Sequence, residues 1–214
     1  MAQKFIVICT LLFLILLVGV PRAAAKKKIP LSTHSSEVSV DPGWLDADLD
    51  LSIDNSLLTL TVANLTPQVD AFSIDEIYFN TTADITQLKL KGLEGGGNNK
   101  NWVLTLNKDN IPAADFGLFD ISLVSKKPGQ EYIGWGQTYI FTIEIKKGTP
   151  PYADNDFFDL SAPSGGTTLA YGAAKFFDGP EEQNAYGAYA LTPEPATICL
   201  LGLGGLVLGG KRRA

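Results

Sequence analysis

Three side chains that build most reactive or cross-linked sites are scarce in this 214-residue chain, which holds two cysteines, one histidine and one methionine. Cys9 and Cys199 both lie in terminal apolar runs, so no disulfide supports the segment between them and a packed core must do so alone. His34 sits in a basic, polar stretch, so Ser-His-Asp and His-metal arrangements lack their central residue. Gly-x-Ser-x-Gly, His-Glu-x-x-His and Gly-x4-Gly-Lys-Ser/Thr patterns are absent. Gly95-Gly96-Gly97 is no phosphate loop, because Lys100 lacks both the following hydroxyl and the preceding glycine at the required spacing. Positive charge is short as well: 17 basic residues face 23 acidic ones, a net charge of −6. Setting aside Lys4, Arg22, Lys211, Arg212, Arg213 and Glu194 leaves 12 basic and 22 acidic residues, close to −10 for residues 26–192. Nucleic acid is excluded as a partner by that balance, and polyanionic surfaces repel such a segment unless divalent cations bridge. No internal repeat of fixed period is visible.

What the chain does have is apolar sequence at both ends. Lys4 precedes an apolar run from Phe5 to Val20, and Ala23-Ala24-Ala25 forms an A-x-A cleavage site with Ala23 and Ala25 as its small residues. Residues 1–25 therefore read as a secretory signal helix, with the mature chain starting at Lys26. Arg22 and Lys26 to Lys28 place more positive charge after the run than before it, which leaves an uncleaved signal anchor as the alternative. Near the other end, Thr192-Pro193-Glu194-Pro195 precedes an uncharged run from Ala196 to Gly210, then Lys211-Arg212-Arg213-Ala214. Fifteen helical residues span roughly 22 Å, which local thinning or snorkelling of Lys211 and Arg212 extends to the hydrocarbon core. Lys211, Arg212 and Arg213 act as a cytoplasmic stop, so the chain before Pro193 faces outward. Pro193 and Pro195 fix φ near −65° and hold Glu194 extended.

This tail resembles the PEP-CTERM sorting signal of Gram-negative bacteria, in which a Pro-Glu-Pro motif precedes a short transmembrane segment and a basic cluster. The matching residues are Pro193, Glu194 and Pro195, the Leu/Gly-rich run, and Lys211 to Arg213. The resemblance implies recognition by an exosortase and cleavage near the motif, after export by the secretion machinery. It also implies association with exopolysaccharide and biofilm matrix. The expected route is an inner-membrane-attached precursor whose mature form reaches the cell surface or extracellular matrix.

Between the signals the pattern is all-β. Leu45 to Ile53 alternates apolar and polar residues, Asp54-Asn55 signals a turn, and Leu57 to Asn64 gives the next strand. Ala71 to Asn80 follows, with adjacent Asp75-Glu76 indicating a bulge or a shifted face. Further strands are expected at 85–93, 102–106, 116–124, 138–145, 157–160 and 168–177, with loops at 92–101 and 148–156. The expected organisation is a signal helix at 1–25, a flexible lead at 26–36, a single β-sandwich or jelly-roll-like domain at 37–180, a linker at 181–192 and the sorting signal at 193–214.

Two constellations could carry ligand chemistry. Asp46, Asp48 and Asp50 share one strand face about 7 Å apart, but a straight strand cannot converge the six or more oxygens a Ca²⁺ needs, so they read as a solvated face. Asp154-Asn155-Asp156 with Asp159 is the better loop arrangement, yet no metal is assigned to either. Trp135, between Gly134 and Gly136, and Trp102, with Tyr132 and Tyr139, could form a saccharide-stacking surface. No catalytic residue and no cofactor is expected. The reading is an exported, non-enzymatic surface or matrix protein, the alternative a carbohydrate-binding or adhesion module on the same sorting signal. Exposed coplanar rings favour the second, and two convergent buried carboxylates in a cleft would favour an enzyme.

Overall fold

The computed structural model describes residues 27–31, 33–34, 45–68, 72–164, 168–177 and 185–190. They form two antiparallel sheets. The first has the order β1 (Lys27–Pro30), β3 (Ala47–Asp54), β4 (Leu57–Asn64), β9 (Thr138–Gly148), β6 (Ile85–Glu94). The second runs β2 (Thr33–His34), β11 (Ala185–Ala190), β10 (Ala170–Phe177), β5 (Ser73–Phe79), β8 (Leu118–Ser125), β7 (Trp102–Pro112). Leu49, Leu60 and Phe141 of the first sheet share one buried cluster with Ile77, Phe79, Ile121 and Phe176 of the second.

Period-two patterning sets which faces meet. In β3, Ala47, Leu49 and Leu51 are fully buried while Asp48 and Asp50 are half-buried, and in β4 Leu58, Leu60 and Val62 answer them across the pair. Register from Asp54↔Leu57 leaves Asn55 and Ser56 as the hairpin loop. Asn55 takes φ 55, which a short polar side chain tolerates and a primed hairpin turn requires. Each buried Leu or Phe contributes roughly 1.5–3 kcal/mol. The expected irregularity at Asp75-Glu76 is present: Lys175 faces Glu76, Phe176 faces Ile74, and Asp75 is the extra residue.

Several boundaries differ from expectation. The lead expected at 26–36 supplies β1 and β2. Ile29 and Leu31 within it are fully buried, and Lys28 meets Asp48 at 2.5 Å, so this basic stretch closes a sheet edge. The linker expected at 181–192 contains β11, whose Gly187 fits directly beneath the buried ring of Phe176, where a Cβ would approach Cε2 to 2.7 Å. The strand expected at 157–160 is replaced by a 3-10 turn at Asp154–Phe157, anchored by fully buried Phe157. Phe116 likewise closes a 3-10 turn, Ala114–Phe116, with β8 starting after Gly117.

Candidate functional site

The expected aromatic platform does not assemble. Trp102 is 3% exposed and packs edge-on against Phe141 at 5.1 Å and against Tyr139 at 6.5 Å. It is a core residue and offers no face to a saccharide. Its Nε1 is buried without a hydrogen-bond partner among the described residues. Tyr139 is 5% exposed, and burial first, then the Glu131 carboxylate, push its phenol above the ordinary value. Tyr132 lies edge-on to Phe177 at 5.6 Å. Trp135 differs from all three: it is 46% exposed, in a loop tied down by Gly136 N–H donating to Asn64 O at 2.9 Å and Gly134 N–H to Gln137 Oε1 at 2.8 Å. Leu65, also 46% exposed, follows Asn64 at the same end of the domain.

The triglycine loop between β6 and β7 is held rather than free. Glu131 accepts from Asn98 N–H at 2.6 Å and from Asn101 Nδ2 at 2.9 Å. Gly95, Gly96 and Gly97 all have positive φ, and a Cβ at Gly97 would overlap Glu131 Oε1.

The aspartates are likewise committed to structure. Asp48 pairs with Lys28, whose ammonium is held above its ordinary pKa by that hydrogen bond and charge. Burial, then repulsion from Asp48, pushes the Asp46 carboxyl up. Asp154 accepts from Ile53 N–H at 2.7 Å, Asp156 from Ala153 N–H at 2.7 Å, and Asp159 from Leu160 N–H at 2.9 Å. Among the described residues no group of three or more metal-ligating side chains could hold an ion. Buried Asp120 receives Thr81 N–H at 2.9 Å on one oxygen and Asp109 N–H at 2.8 Å on the other. His34 lies in β2, opposite Gly187.

One concavity was not singled out from the sequence. A groove of about 520 Å³ lies between the β3–β4 turn (Asn55, Ser56), the end of β9 (Ile145 to Gly148) and Pro150, Pro151 and Tyr152. Its signal in sequence is the Lys-Lys-Gly-Thr-Pro-Pro-Tyr run, in which Lys146 is paired with Glu144 at 2.7 Å.

The described residues end at Ala190, in β11. The signal helix expected at 1–25, with Ala23 and Ala25, and the transmembrane helix expected at 196–210 lie outside the described residues, as do Pro193, Glu194, Pro195, Lys211, Arg212 and Arg213. Among the described residues no helix is long and apolar enough to cross a membrane. The described residues form a two-sheet β domain, and the sequence beyond them carries a terminal signal. That signal is the PEP-CTERM protein-sorting motif, whose family model matches residues 191–213. The chain carries this motif, which marks an exported protein sorted through an exosortase from a membrane-anchored precursor. No curated protein and no solved structure shows significant similarity to the chain.

Proposed function

We propose that this chain is a non-enzymatic surface or extracellular-matrix protein of a Gram-negative bacterium, a β-sandwich delivered and trimmed through its PEP motif and retained among exopolysaccharide. The observation that carries the reading is the sorting motif at residues 191–213, which follows the described β domain in sequence. A structural role is supported by the use made of the acidic side chains: Asp120, Asp154 and Asp156 spend their oxygens on backbone N–H groups that would otherwise be unpaired. Intact mass and C-terminal peptide mapping of the protein from the envelope and medium of its native host test the reading. Loss of everything after the PEP region is expected. An intact Lys211-Arg212-Arg213 end on all recovered protein would make the tail a plain anchor.

A second reading, a carbohydrate-binding module on the same signal, is favoured by Trp135 alone, exposed between two glycines. Affinity electrophoresis through gels containing neutral or acidic polysaccharide separates the two. Retardation that Trp135→Ala abolishes selects the second.

A further inference from the structure

Strands β6 and β7 are the last strands of their two sheets and lie beside each other at one side of the sandwich. Among the described residues, each has a strand partner on one side only. The core is incompletely closed there. Leu88, Leu90 and Leu93 of β6 and Leu104 and Leu106 of β7 pack on it yet remain only half-buried. We infer that this side is a contact between two copies of the chain, in which residues 102–106 of β7 pair antiparallel with the same five residues of a second copy about a two-fold axis at Leu104. The two edges are built differently. β6 departs from regular pairing at three places, between Ile85 and Gln87, Gln87 and Leu88, and Leu90 and Gly92, and it carries Lys89 and Lys91. Bulges and lysines keep an edge from recruiting another strand. The second half of β7 has them too: its pairing with β8 is interrupted between Leu106 and Ile111, Asp109 takes φ 51, and Lys108 and Pro112 lie in the same stretch. Trp102 to Leu106 has none. It pairs residue for residue with β8, carries no charge and no proline, and leaves Val103 39% exposed. Such a segment is a template for one more strand.

Register and charge select a second copy as the occupant. With Leu104 opposite Leu104, Val103 faces Thr105 and Trp102 faces Leu106. The exposed residues of one strand then meet exposed residues of the other, and the half-buried leucines of both copies meet on the core side. Residues 26–192 carry close to −10, which opposes association of like copies. Along this side, however, Lys89, Lys91 and Lys108 stand against Glu94 and Asp109, so the edge is near neutral. A two-fold pairing occupies the segment in both copies, so it stops at two chains and does not run on into a fibre. Five residues a side make a small contact, below about 1,200 Å², so the pair is weak and forms where the chain is concentrated.

Cysteine cross-linking tests the contact in the full chain, expressed in its native host with Cys9→Ala and Cys199→Ala so that it holds no other thiol. Intact cells are oxidised mildly and the linked peptides are identified by mass. Residue 104 lies opposite its own copy, so Leu104→Cys is expected to give a disulfide-linked dimer. Thr105→Cys is more exposed, but it sits diagonally about 7–8 Å from its own copy and is expected to give none. Co-expressed Val103→Cys and Thr105→Cys chains are expected to form a mixed disulfide that neither forms alone, which reads the same register at two exposed positions that leave the core intact. Val103→Lys, added to Leu104→Cys, is expected to slow dimer formation at least about tenfold. Equal cross-linking of Leu104→Cys and Thr105→Cys, no mixed disulfide, or no slowing by Val103→Lys would overturn the pairing. A link from residue 104 to a different protein in place of a copy would overturn the second copy as its occupant.

Discussion

Glu131 and Asn98, 33 residues apart, are joined by a 2.6 Å hydrogen bond from the Asn98 N–H to Oε1. The other carboxylate oxygen takes the Asn101 amide, so one side chain fixes the crossover from β6 to β7, with Gly96 and Gly97 laid against the ring of Tyr139. Glu131→Ala should therefore cost about 1–2 kcal/mol in urea unfolding and raise amide exchange at 95–101. Gly97→Ala should cost at least about 1 kcal/mol from strain at φ 69 and overlap with the same carboxylate. Wild-type exchange in that loop after Glu131→Ala would show that the glycines alone hold it.

Asp120 offers a sharper case because it is 6% exposed. Asp120→Ala leaves the Thr81 and Asp109 N–H groups without their acceptor, at a cost of about 3 kcal/mol. Asp120→Asn keeps one acceptor and turns the other atom into a donor facing an N–H, so its loss should be intermediate. Equilibrium unfolding of both variants reads the order. A harmless alanine would mean that water replaces the carboxylate.

The outer face of the first sheet should respond to pH in two opposite senses. Glu144 is held below its ordinary 4.5 mainly by its hydrogen bond to Lys146, assisted by Lys91. Its stabilisation is complete above 4.5 and is lost as pH falls through the lowered folded value. Asp46 is raised above 3.8 by burial and by Asp48, so the folded state binds its proton more tightly. Acidification from neutral pH through that raised value therefore favours folding at Asp46, while the ionised form disfavours it above. Carboxyl NMR titration should show Lys146→Ala moving Glu144 back up and Lys28→Ala moving Asp46 further up. Unchanged titrations would mean these pairs are absent in solution.

Trp102 and Trp135 separate core from surface. Trp102→Ala should cost about 3–5 kcal/mol, since the ring fills the space against Phe141 and Tyr139. Trp135→Ala should change stability by no more than about 0.5 kcal/mol. Thermal unfolding of the pair checks both, and equal losses would place Trp135 in the fold rather than on its surface.

The sequence was most legible where one strand face is wet and the other dry. The alternation of β3 and β4 places Leu49, Leu60 and their neighbours inward, and the strongly β-branched β9 leaves little choice of element. Trp102 was illegible, because an aromatic at the start of a strand carries no mark of which way it faces. Trp135 stood out because the glycines beside it leave nothing to cover it. The held loop was illegible for another reason: Glu131 reaches it from 33 residues away, and a Gly/Asn run looks the same docked or free. The sorting signal needed no fold at all, since its order of motif, apolar run and basic stop is linear.

The terminal strands β1, β2 and β11 lie outside the domain boundaries that the sequence pattern suggests, and their contribution to stability is testable. A domain cut at the boundaries expected from sequence, 37–180, lacks β1, β2 and β11. It forfeits Ile29 and Leu31, both fully buried and each contributing roughly 1.5–3 kcal/mol, and it uncovers the edges of β3 and β10. It also strips Lys28 from Asp48 and leaves Asp46, Asp48 and Asp50 on a strand edge with no cation opposite. Against a total stability of about 5–15 kcal/mol, these losses are large. The fragment 26–192 should unfold cooperatively, whereas 37–180 should melt far lower or aggregate through β10, whose ladder groups are then unpaired. Restoring 26–36 alone should recover part of the difference, because β1 pairs with β3 without help from β11, while β2 has nothing to pair with until β11 is present. Identical melting of 37–180 and 26–192 would show that the terminal strands close the sheets without supporting them.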